Sequence, residues 1–309
     1  MTLTAVIVLA GVFAVIFTAS VPLGLYMCSV FDGSLSGRFR WMRWTENVFL
    51  APLGSSSSEP MNWAEYCRSL IAFTFVGAVA AYAVFRLQHL LPWNPLQYGP
   101  LKPDLAFNVA VSFATSTTWQ SYAGEQVMSL FSQAAGLTVL TFFSSAVGTV
   151  AAFAFARGLV QSRQPMLGNA WVDLVRCILW VMFPLAVLLS LVFISQGSVQ
   201  TPEAMLTVHT LEGEIQKIAA GPVATQEALR LLSVTGGSFF GANSAHPFAT
   251  PTALICLLQI ILMASGTAAD YSLTADFPLI SLLLVLAAFL FSRLITENIS
   301  LKEENSSFI

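Results

Sequence analysis

Long apolar runs dominate this chain, and they decide which kinds of fold are open to it. Several of them approach or exceed the roughly 18 apolar residues that indicate a membrane-spanning helix. Of the 309 residues in the chain, 56% are hydrophobic and only 9% are charged. A soluble domain with this composition would expose large apolar patches. The sequence therefore predicts an integral membrane protein with several spanning helices.

The apolar runs divide the chain into spans and connecting segments. We expect a first transmembrane helix in residues 1–30, a cytoplasmic segment in 31–66, two repeated units in 67–160 and 167–270, and a last helix with a polar tail in 271–309. At about 20 residues for each crossing, the length leaves no room for an additional soluble catalytic domain. This organisation predicts an all-α polytopic membrane protein.

The longest apolar runs within the repeated units give the expected spans. They lie at about residues 69–91, 126–159, 170–194 and 252–268. The segment 195–225 is largely polar and is expected to form a loop. Each repeated unit therefore contains two spans, and the segment between them is not expected to cross the membrane.

Arginine residues indicate how the chain is oriented in the membrane. Arg38, Arg40 and Arg43 lie in the segment that follows the first span, and Arg157 and Arg163 follow the span that ends the first repeated unit. Basic residues accumulate in the cytoplasmic loops of membrane proteins. We therefore expect these two segments to face the cytoplasm and the segments between the paired spans to open on the other side.

Two short polar segments interrupt the apolar sequence, one in each repeated unit. They are residues 115–120 and 235–240, and each follows a short run with helix-forming character. The first short helix is expected to run from Asp104, as its N-cap, to Ala114, and the second to cover 226–232 after a cap at Thr225. Non-helical backbone at membrane depth is tolerated only where it is buried in protein or lines an aqueous path. The pattern predicts two units of span, pore helix, re-entrant loop and span.

The composition of the two loops suits a dehydrated monovalent cation. Such an ion needs oxygen ligands without full negative charge, which backbone carbonyls and hydroxyl groups supply. Residues 115–118 offer four hydroxyls in a row, and Gly236 with Gly237 is expected to allow backbone conformations that are closed to other residues. Neither loop contains a carboxylate that would favour divalent ions. Serine, threonine and glycine also occur in ordinary surface turns, so this alternative stays open.

Several other functions find little support in the sequence. The chain contains neither a glycine-rich phosphate loop ending in Lys-Ser or Lys-Thr nor the DKTG motif of P-type ATPases, so we do not expect it to hydrolyse ATP. It has no extended basic patch for nucleic acid. Its three histidines, His89, His209 and His246, lie far apart without metal-ligand spacing.

A few charged and polar residues near the apolar runs need an interpretation. Asp173 and Arg176 lie three residues apart and are expected to form a local ion pair on one helix. Glu125 is expected to stabilise a helix start. Ser244 with His246 is a weak candidate for an intramembrane hydrolase, because no nucleophile motif accompanies the two residues.

Long sequence motifs in this chain match a known family. The matching stretches are VSFATSTTWQSYAGE at 111–125, LGNAWVDL at 167–174, GPVATQEA at 221–228, GANSAHPF at 241–248, MNW at 61–63 and FSQAAGLTV at 131–139. At these positions the chain resembles the potassium-translocating A subunit of the bacterial Kdp potassium pump (KdpA), which is related to the Trk and Ktr transporters. The resemblance covers roughly residues 5–262.

The resemblance implies a function and a set of partners. Members of this family carry four pore loops around one potassium filter, while a separate P-type ATPase catalytic subunit hydrolyses ATP. By resemblance, the chain would be the potassium-binding and translocating subunit of an ATP-driven uptake pump in the bacterial inner membrane. Its partners would be that catalytic subunit, the accessory membrane subunits of the Kdp complex and the lipid bilayer, with K⁺ as the transported ion and no organic cofactor. A truncated, non-conducting assembly or regulatory relative is the alternative.

The family's filter motifs can be carried over residue by residue. The usual TNTNWQ falls on residues 115–120 and the usual TNGGGFFNANS on 234–244, and the resemblance makes Gln120 and Asn243 filter-supporting residues. If the glycine replaced by Ser238 needs a positive φ, serine is strained there. The potassium-binding residues expected from this match are Thr115, Ser116, Thr117, Thr118, Thr235, Gly236, Gly237 and Ser238. Asparagine of the family pattern is replaced at Ser116, Thr118, Thr235 and Gly241, and threonine at Val234.

The chain holds only about half of the usual family length, with two pore loops in place of four. Two loops enclose half a ring. A closed filter would therefore require a second copy of the chain about a two-fold axis, or a separate chain that supplies the other two loops. The sequence after about residue 262 does not match the family.

Overall fold

The structure is a computed structural model that describes residues 21–57, 59–160, 166–209 and 212–272, together with Gly11, Ala14 and Thr18. Most of the described residues are helical. The part before the first repeated unit contains α1 (Val21–Phe31), α2 (Ser34–Arg38), α3 (Arg40–Leu50) and a 3₁₀ segment (Ala51–Ser57).

Two similar series of elements follow. The first comprises α4 (Trp63–Leu87), α5 (Pro103–Ala114), α6 (Gly124–Val127) and α7 (Ser132–Leu159). The second comprises α8 (Ala170–Ser195), β1 (Met205–His209), β2 (Ile215–Ala219), α9 (Val223–Leu232), a 3₁₀ turn (Asn243–Ala245) and α10 (Ala253–Ser272). In each series a short helix of 12 or 10 residues, α5 or α9, lies between two longer ones and precedes the polar loop.

Three of these helices, α4, α7 and α8, are long and apolar enough to cross a membrane, with 25, 28 and 26 residues. At 1.5 Å per residue they measure about 37–42 Å, which exceeds the roughly 30 Å hydrocarbon core of a bilayer. The predicted fold class of a polytopic helical membrane protein is therefore confirmed. The predicted last helix and polar tail lie outside the described residues from position 273 onward, as does most of the first predicted helix.

Helix α4 begins earlier than predicted because a capping box fixes its start. The Asn62 side chain accepts hydrogen bonds from the N–H groups of Ala64 (3.0 Å) and Glu65 (3.1 Å). The Glu65 carboxylate in turn accepts a hydrogen bond from the Asn62 N–H at 2.9 Å. These reciprocal bonds satisfy N–H groups that a helix start otherwise leaves unpaired.

Both short helices also begin earlier than the sequence interpretation placed them. Lys102 is the N-cap of α5 and Pro103 takes the first position, so Asp104 lies in the first turn and is not the cap. Proline is favoured there because that position needs no backbone N–H. Thr225 lies inside the first turn of α9, where its N–H donates to the Gln200 side chain at 3.1 Å.

Each short helix is held in an apolar core. Phe85, Phe113 and Leu137 are buried in a cluster between α4, α5 and α7. Phe193 and Leu231 belong to a second cluster that joins α8, α9 and α10. The predicted repeat of span, pore helix, loop and span is thus present in the packing of the described chain.

The predicted ion pair between Asp173 and Arg176 is wrong. The Asp173 carboxylate instead pairs with Arg157 on α7 at 2.6 Å and accepts the hydroxyl of Tyr66 on α4 at 2.8 Å. Arg176 pairs with Glu46 of α3 at 3.2 Å. Charged groups at the ends of packed helices find partners on neighbouring helices, which a single-helix spacing rule does not detect.

The polar loop predicted at 195–225 contains a β-hairpin. Strands β1 and β2 pair antiparallel, with Met205 opposite Ala219 and His209 opposite Ile215. Each strand has only five residues, and neither MLTVH nor IQKIA alternates strictly between apolar and polar residues, so the sequence contains no clear strand signal. The hairpin is an addition to an otherwise helical architecture.

Candidate ion-binding site

The two polar loops lie directly against each other. The Thr118 hydroxyl oxygen accepts hydrogen bonds from the N–H groups of Gly236 (3.0 Å) and Gly237 (3.1 Å). The Gln120 side chain donates to the Ser238 carbonyl at 2.8 Å and accepts from the Ser238 N–H at 3.0 Å. Residues that lie about 118 positions apart in the sequence therefore form one structural unit.

A second group of contacts continues this junction. The Glu125 carboxylate, expected to stabilise a helix start, lies in the first turn of α6 and accepts the N–H of Gly241 at 2.9 Å. The Gln133 side chain donates to the Phe239 carbonyl at 3.2 Å. A Cβ atom added to Gly124 would lie 2.8 Å from that same carbonyl, so only glycine allows the close approach. The loops are therefore joined at several points.

Helix α5 ends in a Schellman motif, a C-terminal turn with two hydrogen bonds that reach back into the helix. The Ser116 N–H donates to the Phe113 carbonyl at 3.3 Å, and the Thr117 N–H donates to the Ser112 carbonyl at 2.9 Å. This motif places the residue after the helix in the left-handed region. That residue is Ser116, with φ of 58°.

Helix α9 ends in the same way. The Val234 N–H donates to the Leu231 carbonyl at 3.2 Å, and the Thr235 N–H donates to the Arg230 carbonyl at 3.1 Å. Val234 has φ of 51° and occupies the position that corresponds to Ser116 in the first loop. The two loops thus start with one common backbone design, which extends the repeat from the helices into the loops.

The expectation that Gly236 and Gly237 adopt backbone conformations closed to other residues is wrong. Gly236, Gly237 and Ser238 do not have a positive φ, so neither the glycines nor the serine occupy the left-handed region. Left-handed backbone occurs instead at Ser116, at Thr118 (φ 54°) and at Val234. Glycine is needed at position 237 for space, because an added Cβ would lie 2.6 Å from the ring of Phe113.

Backbone oxygens in both loops remain available. Among the described residues, no hydrogen bond ends on the carbonyl oxygens of residues 115–118 or 234–237. The hydroxyls of Thr115 and Thr117 lie 2.9 Å apart on an exposed surface, and the Thr115 hydroxyl also donates to the Val111 carbonyl. Both short helices direct their carboxyl ends, which carry partial negative charge, to these loops. The arrangement can offer uncharged oxygens to a cation.

A buried ionic network underlies the second loop. Glu227 is fully buried and pairs with Arg230 one turn later on α9 at 3.0 Å. Its carboxylate also accepts the hydroxyls of Ser238 and Ser244, the second at 3.1 Å. The sequence interpretation missed Glu227 and Arg230, although two charged residues near membrane depth in a short pore helix are a recognised functional signal.

The structure gives no support to a hydrolase site at Ser244 and His246. The Ser244 hydroxyl donates to Glu227, which is its partner in place of the histidine. The His246 ring stacks on Phe240 with ring centroids 3.6 Å apart, and its Nδ1 accepts the Phe248 N–H at 3.2 Å. Burial lowers the pKa of His246 below its usual value, while the charge of Glu125 opposes this change.

The remaining predicted site residues lie at the margins of the junction. Thr235 is buried, with its hydroxyl near the Arg230 carbonyl at 3.4 Å. Asn243 is exposed and begins the 3₁₀ turn that follows the second loop, with φ of 53°. The structure therefore joins Thr118, Gln120 and Ser238 closely and leaves Asn243 at a distance along the loop.

Comparison with known proteins agrees with this architecture. Residues 10–276 match the family described as Potassium-transporting ATPase A subunit, KdpA. The chain belongs to this family. The match includes both short helices, both loops and the spans on either side of them, so the resemblance noted in the sequence motifs is confirmed.

Individual relatives give the same result. The chain is 42% identical over 256 residues to the potassium-transporting ATPase potassium-binding subunit of Allorhizobium ampelinum, covering 83% of this chain and 45% of that protein. The protein of the same name from Edwardsiella ictaluri is 44% identical over 82% of this chain and 45% of its own length. That from a Caulobacter species is 45% identical over 78% of this chain and 42% of its own length. The chain spans about half the length of the curated relatives it matches.

Proposed function

We propose that this chain is a potassium-binding and translocating subunit of an ATP-driven potassium uptake pump. The observation that carries the proposal is the junction of the two loops, in which Thr118 and Gln120 hold residues 236–238 while no described residue donates a hydrogen bond to the carbonyls of 115–118 and 234–237. A bare potassium ion is bound through several uncharged oxygens that replace its hydration shell. The family membership of the chain supports the same function.

We propose that the ion is bound by residues of both loops. The carbonyl and hydroxyl oxygens of the first loop and the carbonyl oxygens of the second are the ligand candidates, and Gln120 fixes their spacing. Asn243 has a supporting role after the second loop. The proposed potassium-binding residues are Thr115, Ser116, Thr117, Thr118, Thr235, Gly236, Gly237 and Ser238.

We propose that other chains supply the energy and complete the path. ATP hydrolysis belongs to a P-type ATPase catalytic subunit, which assembles with this chain and accessory membrane subunits in the bacterial inner membrane. In this assembly the segment 31–66 is cytoplasmic, and the repeated units 67–160 and 167–270 each contribute one quarter of a filter. The proposal follows the names of the relatives, which are subunits of potassium-transporting ATPases.

An exposed face on the first pore helix and the loop that follows it supports a further partner. Phe107 and Trp119 are 64% and 71% exposed and Val111 is also exposed, whereas nearly all of α9 is buried. Apolar side chains on a pore helix that face no neighbour are suited to contact another pore-loop unit. We propose that a second copy of this chain, or a separate chain with two more loops, covers this face.

Uptake into membrane vesicles tests the proposal. Vesicles that contain this protein, the catalytic ATPase subunit and the accessory subunits should accumulate radioactive rubidium only when ATP is present. Thr117→Val, which removes an exposed loop hydroxyl and keeps the side-chain shape, should weaken the apparent potassium affinity, and Lys217→Gln on β2 should not. Absence of uptake with the unmodified chain in a fully assembled complex would contradict the proposal and support the non-conducting relative.

A further inference from the structure

Helix α3 is fixed beside the start of α8, at the end of the spans remote from the two loops. Its Glu46 carboxylate pairs with Arg176 and accepts the Trp180 indole N–H at 2.9 Å, and it also accepts the Ser36 hydroxyl. The ring of Trp41, at the border of this side, meets that of Trp180 edge to face at 5.1 Å while most of Trp41 stays exposed. One side of α3 is therefore attached firmly to the helix bundle.

A second side of α3 exposes large apolar side chains. Trp41, Trp44 and Val48 are 60%, 69% and 50% exposed and follow one another at helical spacings of three and four residues. They form one line along the helix. Tryptophan is enriched where a membrane meets water, because its ring is apolar and its N–H can still contact polar groups. The line is suited to the boundary between headgroups and acyl chains.

A third side of α3 is basic. Arg40 and Arg43 precede Trp41 and Trp44 by one residue each, which places them about 100° around the helix from the aromatic line. Both are exposed, and neither forms an ion pair with any residue that the structure describes. The acid of this helix, Glu46, points inward and is already paired, so it does not neutralise the exposed arginines.

We propose that α3 lies in the plane of the membrane interface and binds the headgroups of anionic phospholipids. Trp41, Trp44 and Val48 enter the boundary region, while Arg40 and Arg43 contact lipid phosphates. Planar guanidinium groups bind phosphate oxygens in pairs, which makes arginine well suited to this contact. The charge of the basic side and the position of α3 at the end of the spans select a bilayer with negative surface charge as the partner.

Lipid quenching of tryptophan fluorescence tests this inference on the full chain. The protein is reconstituted in phosphatidylcholine bilayers that contain brominated phosphatidylglycerol or, separately, brominated phosphatidylcholine. The difference between the unmodified chain and Trp44→Phe isolates the signal of Trp44. We expect stronger quenching of Trp44 by the brominated anionic lipid at equal mole fraction, because a basic residue near a membrane surface raises anionic lipid affinity by about fivefold.

Substitutions of the arginines identify the headgroup contact. Arg40→Gln and Arg43→Gln should each reduce the preference for brominated phosphatidylglycerol by about fivefold. Arg40→Lys keeps the charge and should retain most of the preference, and Lys217→Gln on the distant hairpin should retain all of it. An unchanged preference in both glutamine variants would overturn the proposal, as would a Trp44 signal that neither brominated lipid quenches. Neither result depends on transport activity, so this test and the uptake test fail independently.

Discussion

At the residue scale, each pore helix ends in a residue other than glycine with left-handed backbone. Ser116 and Val234 occupy the left-handed position of matching Schellman motifs, which glycine or asparagine usually fills. A β-branched residue in this region is a genuine conformational outlier. The family pattern has asparagine at position 116 and threonine at 234, so part of the strain is specific to this chain.

Replacing the strained valine should stabilise the protein. Val234→Asn introduces a residue that tolerates left-handed backbone, and the gain should be about 1 kcal/mol of unfolding free energy. Denaturant or thermal unfolding in detergent measures the change. Val111→Asn, at a similarly exposed position within α5, is the control and should not stabilise. Equal effects of the two substitutions would show that φ at position 234 is not the cause.

Removing the buried charge beneath the second loop should destabilise the protein. Glu227→Gln leaves the Arg230 guanidinium buried without its ionic partner, which typically costs about 3–5 kcal/mol. Unfolding measurements should show this loss, whereas Glu203→Gln at an exposed position should change little. A loss for Glu227→Gln no larger than that of the control would contradict the assigned network.

His246 should contribute a pH dependence to stability. Burial lowers the pKa of its imidazole below the ordinary value of 6.5, so the unfolded chain binds the proton more readily than the folded one. Stability is therefore complete above about pH 6.5 and falls as the pH decreases through the lowered pKa. Melting temperatures at pH 7.5 and 5.5 should differ less for His246→Phe, which can keep the ring stack with Phe240. An equal pH dependence in both proteins would assign the effect to other groups.

At the element scale, the two loops stabilise each other through side chains of the first and backbone groups of the second. Thr118→Val keeps the side-chain shape but removes the oxygen that accepts the N–H groups of Gly236 and Gly237. Leaving the buried N–H of Gly237 unpaired should cost about 1–3 kcal/mol. Thermal unfolding with and without potassium should show this loss and a smaller stabilisation by the ion. Thr45→Val on α3 is the control, and an equal response of both variants would contradict a specific role of the junction.

The elements also show how far the sequence could predict the structure. The spans and both pore helices follow from apolar length and from polar interruptions, so their presence was predictable. Their starts are set by local sequence signals that a hydrophobicity pattern does not contain, namely Pro103 at the first position of α5 and the Asn62–Glu65 capping box before α4. The hairpin at 205–219 was missed because its two five-residue strands, MLTVH and IQKIA, do not alternate strictly between apolar and polar residues.

Within the site, the sequence could predict that the ligand groups are uncharged oxygens. It could not predict which residues of the other loop contact them. The hydroxyl-rich first loop indicated an uncharged oxygen site, but the contacts of Thr118 and Gln120 depend on residues more than a hundred positions away. The requirement for glycine at 237 comes from the ring of Phe113, and the partner of Asp173 lies on another helix. Long-range packing of this kind leaves no local signal in a sequence.

At the scale of the whole molecule, the described chain contains two related pore-loop units, and the proposed complete filter needs more than these two. Trp119→Cys, placed on the exposed face of the first unit in a background free of other cysteines and labelled with a thiol-reactive photocrosslinker, should form a cross-link on illumination to the chain that covers this face. Trp63→Cys is the control, because Trp63 is equally exposed but lies at the start of α4, the end of that helix remote from the loops. The mass of the product distinguishes a second copy from a different chain, and no cross-link to any chain would contradict a partner at this face.

The contact between Gln120 and Ser238 has a consequence for how an ion path here could open. One amide side chain holds both the donor and the acceptor of a single residue in the neighbouring loop, much as an adjacent strand would. Rotating either peptide of Ser238 would break a bond that the buried surroundings cannot easily replace. A flip of an isolated peptide in this place is therefore disfavoured relative to a movement of the two loops together.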